Sequence, residues 1–372
     1  MPSTLPLEPK QLGPTCCAGS IPRVLVHERG HWYTRPMSGS ESSGGTDDIG
    51  RLYDELAAER RAGPPLRHRL ARRTQAVIGK LGDSFTSNIA SDSSDVEVAT
   101  SLSAAGLSRL FQNETCGLRI PGFADPATCQ AIADWMETNC TFEKWEQAST
   151  GKSDLSDMFY GIGLPVNAID QSRERCIAYF AEALPTIHKI RAAAGGRLAP
   201  VDKLRLELDE LWNPGATLRV DNTYQRKMLV GLGRLMRPDG MVGTSTREHG
   251  IIHIDAPVRI SKAHGLFSAN VYLRAPSQGG ELCIWGVNPG PVQAPVLEKY
   301  LGHAFDPEHR EHTQEELRRR LPAPRVIKIQ PGDLVIINAG RPHAVRGFAE
   351  GTRITLQSFI EHVRGEPLRL FA

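Results

Sequence analysis

The sequence predicts a mainly β protein of the jelly-roll, cupin-like kind with flanking helices. Beyond Pro214 the chain breaks into short β-like runs at 217–220, 250–254, 265–274, 281–285, 325–329, 334–338 and 353–360, separated by clusters of Gly, Pro, Asn and Asp. Crossover helices are missing between most of these runs, which argues for an antiparallel sandwich and against a parallel α/β sheet. Ahead of Pro214 the apolar residues recur at helical spacing instead, so the helices are expected to flank the sheets.

Taken in order, residues 1–50 are rich in Pro, Ser and Gly and are expected to be disordered or loosely packed. Residues 51–103 read as a helical extension and linker, with Leu52, Leu56, Leu70, Val77 and Leu81 in apolar positions and a break at Gly63-Pro64-Pro65. The compact domain is expected over 104–372. Residues 117–123 (GLRIPGF) read as a short strand and turn, and Asp125-Pro126 as a helix start. The helix over 127–139 places Cys129, Ile132, Ala133 and Met136 on one stripe. Another helix is expected over 170–194, stopped by Gly195-Gly196. An insertion near 288–324, helical at 308–321, separates two strands and is a candidate lid.

Composition narrows the function. Across 372 residues, 44 Lys+Arg face 42 Asp+Glu, a net charge of +2 that excludes the strongly basic balance of a nucleic-acid-gripping protein. The sequence contains no apolar run long enough for a membrane span, and its opening lacks the pattern of a secretory signal. Seven cysteines without CxxC spacing are neither a disulfide framework nor a zinc site, so a cytoplasmic setting is expected. The expected partner is a small-molecule substrate, not nucleic acid or membrane.

The chemistry concentrates at residues 249–257, HGIIHIDAP. In a strand, residues two apart share a face, so His253 and Asp255 project together and supply two legs of a metal site. His343, in GDLVIINAGRPHAVRG, is the best third ligand. Two histidines and one carboxylate on one side of a metal leave three positions open, the facial arrangement of non-haem Fe(II) oxygenases. Either histidine alone also suits an ordinary core or loop position; the surrounding pattern raises the metal reading. Arg353, Thr355 and Gln357 share one face of RITLQSF, where a guanidinium beside a hydroxyl can anchor a carboxylate bidentately. Asp333 sits in a Pro-Gly-Asp turn before an apolar strand, and GGELCIWG (279–286) opens another.

These motifs resemble the Fe(II)/2-oxoglutarate-dependent oxygenases. The resemblance covers about 118–360 and rests on IPGF near Ile120, the HxD at His253 and Asp255, NVYL at 270–273, GGEL at 279–282, PGDLVIIN, the distal His343, and the RxT at Arg353 and Thr355. It implies a double-stranded β-helix in which His253, Asp255 and His343 bind Fe(II), with 2-oxoglutarate and O2 as co-substrates. Arg353, helped by Thr355, is implied to hold the distal carboxylate of 2-oxoglutarate, with Asn270 or Tyr272 assisting. Halogenating members replace the metal-binding carboxylate with a small residue; Asp255 therefore points to the hydroxylase-like, small-molecule branch acting on amino acids or natural-product intermediates.

The implied reaction oxidises an unactivated C–H bond while 2-oxoglutarate loses CO2 and becomes succinate. Hydroxylation, desaturation and ring closure all fit. His249, Arg219 and Gln357 are the candidate substrate contacts, the first two as carboxylate receivers. His303, His309 and His312 lack ligand spacing and are expected at the surface. The alternative is a cupin-type metal dioxygenase or isomerase independent of 2-oxoglutarate, which would not need Arg353 and Thr355. A ligand-binding jelly roll with a vestigial site is the non-enzymatic reading.

Overall fold

Two eleven-residue strands, β9 (His264–Arg274) and β14 (Arg353–Val363), pair antiparallel at the centre of the protein in a computed structural model. The structure describes residues 23–28, 31–36, 46–61, 89, 91–139, 141–142, 160–238, 249–256, 264–287, 293–302, 304 and 309–372. Leu70, Val77, Leu81 and His303 lie outside the described residues. The chain divides into two units, Met1–Ser43 and Gly44–Ala372.

In the first unit, β1 (Arg23–Glu28) and β2 (His31–Pro36) form an antiparallel hairpin, with Arg23 opposite Pro36 and Glu28 opposite His31. The sequences RVLVHE and HWYTRP mix β-branched and aromatic residues, which favour extended pairing.

The second unit opens with α1 (Thr46–Arg61), five residues earlier than the apolar pattern suggests. Asp47 and Asp48 in its first turn complement the positive helix end. Ile49, Leu52, Tyr53 and Leu56 are the helix's contribution to the main core. The helices α2 (Ala104–Phe111), α3 (Pro126–Asn139), α4 (Arg173–Ala193) and α5 (Pro200–Leu211) follow. The α3 helix buries the expected stripe of Cys129, Ile132, Ala133 and Met136, and Asp125 caps it by accepting from Thr128 N at 2.8 Å. Gly195 and Gly196, at φ +64 and +79, turn the chain out of α4. The sequence reading passed over α5, whose stripe of Val201, Leu204 and Leu208 follows a proline at the helix start.

The larger sheet adds β3 (Val96–Val98), β4 (Gly117–Ile120), β5 (Thr141–Phe142), β6 (Tyr160–Ile162), β7 (Ala216–Leu218), β8 (Leu232–Met236), β12 (Leu334–Asn338) and β15 (Leu368–Phe371). Its order is β3-β4-β12-β9-β14-β8-β6-β5, with β15 on β14 and β7 on β15. Thus β3 joins this sheet from ahead of residue 104. The smaller sheet is β11 (Arg325–Ile327), β10 (Leu282–Ile284) and β13 (His343–Val345), in that order.

Strand alternation sorts these sheets into layers. Ala269, Val271, Leu273, Leu334, Ile336, Ile354 and Leu356 form one face of the larger sheet and pack with Leu107, Leu110, Ile132 and Leu204 from the helices. On the opposite face Tyr272, Val335 and Ile337 meet Leu282, Ile284 and Ile327 of the smaller sheet. The far face of the smaller sheet, through Cys283 and Ala344, packs on α6 (Gln293–Leu301) and α7 (Arg310–Arg320) via Leu297, Leu301 and Leu317. Each fully buried Leu or Ile contributes about 1.5–3 kcal/mol, so these apolar layers outweigh the exposed ion pairs, worth about 0–1 kcal/mol each. The protein is a sheet-rich fold with flanking helices. The described helices of the insertion read as a candidate lid back the smaller sheet through Leu297, Leu301 and Leu317.

Candidate metal centre

Residues 250–254 do not form the continuous strand expected of them. Gly250 has φ +72, and a Cβ there would run into the carbonyl of Val345. This close approach lets the segment form an isolated antiparallel bridge between His253 and His343. The two backbones exchange hydrogen bonds, His253 N to His343 O at 3.0 Å and His343 N to His253 O at 2.9 Å, and Asp255 N donates to Ala339 O at 2.9 Å.

The bridge brings three side chains to one point. Asp255 Oδ1 lies 3.8 Å from His253 Nε2, and Asp255 Oδ2 lies 3.4 Å from His343 Nε2. One ligand atom from each of His253, Asp255 and His343 falls within 4.8 Å of the others. Separations of 3.4 and 3.8 Å can be bridged by one ion with bonds of about 2.0–2.2 Å. Each imidazole is oriented by its other nitrogen: His253 Nδ1 meets Ile251 O at 2.9 Å, and His343 Nδ1 meets Arg341 O at 2.9 Å. With Nδ1–H committed to a carbonyl, both Nε2 atoms are directed to the shared point, the orientation found at histidine metal sites. The donor set fits a divalent first-row metal such as Fe(II).

The electrostatics of these groups without metal follow from the same contacts. Burial, reinforced by His343, holds His253 down at about 4, so it is neutral near pH 7. For His343 burial opposes the charged form, but the hydrogen bond and charge of Asp255 outweigh it and raise the ring above its ordinary value. Burial alone would raise Asp255; both imidazoles and Arg234 overcome it and hold the carboxyl well below the usual carboxylate range. Asp255 is thus an anion ready to ligate, and a metal would replace the proton that it shares with His343.

Beside the cluster stands the wall of the larger sheet. The register sets Thr355 opposite Tyr272 and Gln357 opposite Asn270. Arg353 is buried, donating Nε to Gly280 O at 3.2 Å and Nη2 to the Tyr272 hydroxyl at 3.1 Å, with its guanidinium 4.9 Å from the Tyr272 ring centre. Gly280, at φ +72 in the GGEL turn, therefore aims the carbonyl that orients Arg353. Arg353 Nη1 meets Met236 Sδ at 3.6 Å, and among the described residues no carboxylate pairs with Arg353, so its charge is not neutralised by an ion pair there. Burial pushes the Tyr272 phenol up, even against the pull of Arg353, and keeps it a neutral O–H. Asn270 Nδ2 and Gln357 Nε2 both donate to Ser268 Oγ, at 3.2 and 3.1 Å, and Gln357 Oε1 is buried with no hydrogen-bond donor.

Two expected substrate contacts lie elsewhere. His249 is exposed and lines a cleft with Cys283 and Trp285, because the turn at Gly250 breaks the parity that would align it with His253. Arg219 sits 4.7 Å over the Phe371 ring and 3.9 Å from Glu361, in a separate ion cluster. His309 is exposed and His312 is exposed, as expected.

Three contributors escaped the sequence reading. Arg234 is opposite Thr355 in the β8–β14 register, and its charge acts on both Asp255 and Arg353. Gln314 on α7 is fully buried and binds the backbone of Ile252, accepting from its N at 2.7 Å and donating to its O at 3.0 Å. Arg341, whose carbonyl orients His343, has its own guanidinium held by Asp92 at 2.6 Å. Asp333 in the Pro-Gly-Asp turn is structural: it pairs with Arg119 at 2.8 Å and accepts from Gln330 N at 3.0 Å.

No family model matches the chain, and no curated protein matches it. Among solved structures the chain is similar to an N-substituted L-amino acid dioxygenase in complex with alpha-KG from Burkholderia ambifaria AMMD, at 16% identity and a TM-score of 0.46, over 72% of this chain and 91% of that one. HygX from Streptomyces hygroscopicus with nickel and 2-oxoglutarate bound is similar at 14% identity and a TM-score of 0.39, over 72% and 89% of the two chains. A Pseudomonas putida prolyl-4-hydroxylase is similar at 14% identity and a TM-score of 0.28, over 70% and 99%. From this chain's own residues, His253, Asp255 and His343 form the candidate metal centre and Arg353 the candidate carboxylate anchor.

Proposed function

We propose that the protein is an Fe(II)- and 2-oxoglutarate-dependent oxygenase of the double-stranded β-helix kind, acting on an unactivated C–H bond of a small molecule such as an amino acid or natural-product intermediate. The observation that carries this reading is the meeting of His253, Asp255 and His343 within 4.8 Å of one another, with Arg234 acting on both Asp255 and a buried Arg353 that pairs with no described carboxylate. The two facing sheets supply the frame.

In this reading His253, Asp255 and His343 hold the ferrous ion. Arg353, Thr355 and the Tyr272 hydroxyl receive the distal carboxylate of 2-oxoglutarate, and Gly280 keeps the guanidinium aimed. When bound, iron and 2-oxoglutarate supply O2 activation coupled to decarboxylation. The chain contributes orientation and exclusion of water. Neutral His253 and anionic Asp255 present lone pairs without prior loss of a proton, whereas His343 must give up the proton shared with Asp255. Arg234 adds a positive charge to the same wall. Gln357 Oε1, fixed through Ser268, is a ready acceptor for a substrate N–H or O–H.

The test is succinate formation from 2-oxoglutarate with Fe(II), ascorbate and O2, with small molecules screened by oxygen uptake and product mass. A gain of one oxygen marks hydroxylation, and a loss of two hydrogens marks desaturation or ring closure. Oxidation that proceeds without 2-oxoglutarate overturns the reading in favour of a cupin-type enzyme.

A further inference from the structure

On β10, Leu282 and Ile284 face the larger sheet, and Cys283 faces the opposite way, toward the insertion helices. A cleft of about 280 Å³ opens on that outer side. Trp285, Leu321, Pro322 and Pro324 give it an apolar wall, and the basic side chains of His249, Arg318 and Arg346 line it as well. Among the described lining residues there is no carboxylate.

Arg318 is fixed by its surroundings, donating Nη2 to Gly250 O at 3.1 Å with the charge of Glu311 acting on it, whereas the backbone N of Arg346 donates to Glu281 O at 2.9 Å and places that residue at the strand edge. No described carboxylate forms an ion pair with Arg346. The Arg346 side chain hydrogen-bonds the neighbouring Cys283, but burial outweighs that bond and the Arg346 charge and pushes the thiol up, so Cys283 offers no countercharge.

We propose that this cleft is a second ligand site, distinct from the candidate metal centre, that takes a small aromatic carboxylate. A planar guanidinium fork pairs with a carboxylate through two parallel hydrogen bonds, and it does so more strongly beside an apolar wall than in open water. The indole and proline surfaces match the face of a ring. The volume of about 280 Å³ falls just short of the usual span of small-molecule sites, about 300–1,000 Å³, which limits the ligand to a single-ring acid. The site lies directly behind the strand pair in which Cys283 is opposite Ala344 and Ile284 is opposite His343.

The experiment is a titration of the full-length protein with benzoate, read by tryptophan emission, with Trp285→Phe identifying the reporting indole. Benzamide serves as the uncharged isostere. Benzoate is expected to give a saturable change, and Arg346→Gln to weaken it about tenfold or more, the scale of one charge-assisted hydrogen bond. Benzamide should bind correspondingly weakly, and Arg353→Gln should leave benzoate affinity unchanged. Arg346→Lys keeps the charge without the fork and should give an intermediate affinity, so the test stands even if the Gln variant does not fold. The proposal is overturned if benzoate gives no saturable change, if the folded Arg346 variants bind it as tightly as the parent, or if Arg353→Gln abolishes the response. The last result would place the carboxylate at the metal centre.

Discussion

Gln314 satisfies both backbone groups of Ile252, accepting from its N at 2.7 Å and donating to its O at 3.0 Å. One amide on a helix outside the smaller sheet thereby secures the residue next to His253. The insertion is thus a brace for the candidate metal-binding segment, and its removal is expected to loosen two of the three candidate ligands.

Replacing that amide tests the brace. Gln314→Leu leaves a buried N–H and a buried C=O without partners, at a cost of about 2–6 kcal/mol. The expected outcome is a lower melting temperature and weaker metal binding in chelator competition. Gln314→Glu retains the acceptor and should fall between the two. Unchanged metal affinity in Gln314→Leu would show that the ligand segment holds its shape without help.

Loss of any ligand should abolish turnover and leave the fold. His253→Ala and His343→Ala remove side chains from a recess where Asp255 is still 26% exposed, not from the apolar layers. Far-UV circular dichroism should match the parent while succinate formation disappears. Insoluble protein in both variants would count against this placement.

Arg353→Gln should raise the KM for 2-oxoglutarate about 10- to 100-fold, the scale of charge-assisted hydrogen bonds. Tyr272→Phe, which removes one hydroxyl and leaves the ring under the guanidinium, should have a smaller effect. Saturation curves in 2-oxoglutarate at fixed Fe(II) decide both. An unaltered KM in Arg353→Gln removes the anchor role.

The metal-free protein should lose stability in acid for two separate reasons. His253 is held at about 4, below its ordinary 6.5, so between those values the unfolded chain binds a proton that the folded one refuses, and stability falls as pH drops. The depressed Asp255 contributes stability above its ordinary 3.8, which is lost as pH falls through its lower folded value. The raised His343 acts oppositely: its contribution is full below 6.5 and is lost as pH rises through its folded value. Metal binding must expel the proton of His343, so affinity should weaken toward acid. Melting curves and metal titrations across pH 4–8 check the signs.

Deleting residues 1–45 should leave turnover in place, since the described ligands and anchor all belong to the unit Gly44–Ala372. Activity measured on the shortened protein checks this. Loss of activity with the fold retained would assign the leading segment a part in the pocket.

The candidate site was legible in the sequence where side chains follow local spacing. His253 and Asp255 are two apart, and Arg353, Thr355 and Gln357 alternate along one strand, so each set declares its common face. Arg234 was not legible, because only the pairing of β8 with β14 carries it to that wall. Gln314 sits in REHTQEELRRR, a helix whose composition reads as fully solvated, and nothing local marks the one amide that turns inward. His249 was misplaced because alternation was extended through Gly250, where a positive φ ends it. In the fold, β4, β7, β9, β10, β11, β12, β14, α3 and α4 followed from the sequence pattern, whereas β8, β13 and β15 were passed over, and α5 lacked the polar cap that usually announces a helix.

The pairing of Asp92 with Arg341 sets a limit on how the protein can be shortened. Arg341 is 1% exposed, and its guanidinium pairs with a carboxylate 249 positions upstream. Trimming to residue 104, where the compact pattern begins, would strand that cation at a cost of about 3–5 kcal/mol, right behind the imidazole of His343. Crystallographic truncations, domain grafts and circular permutants should therefore start ahead of residue 89, keeping this upstream strap in one body with the candidate metal centre.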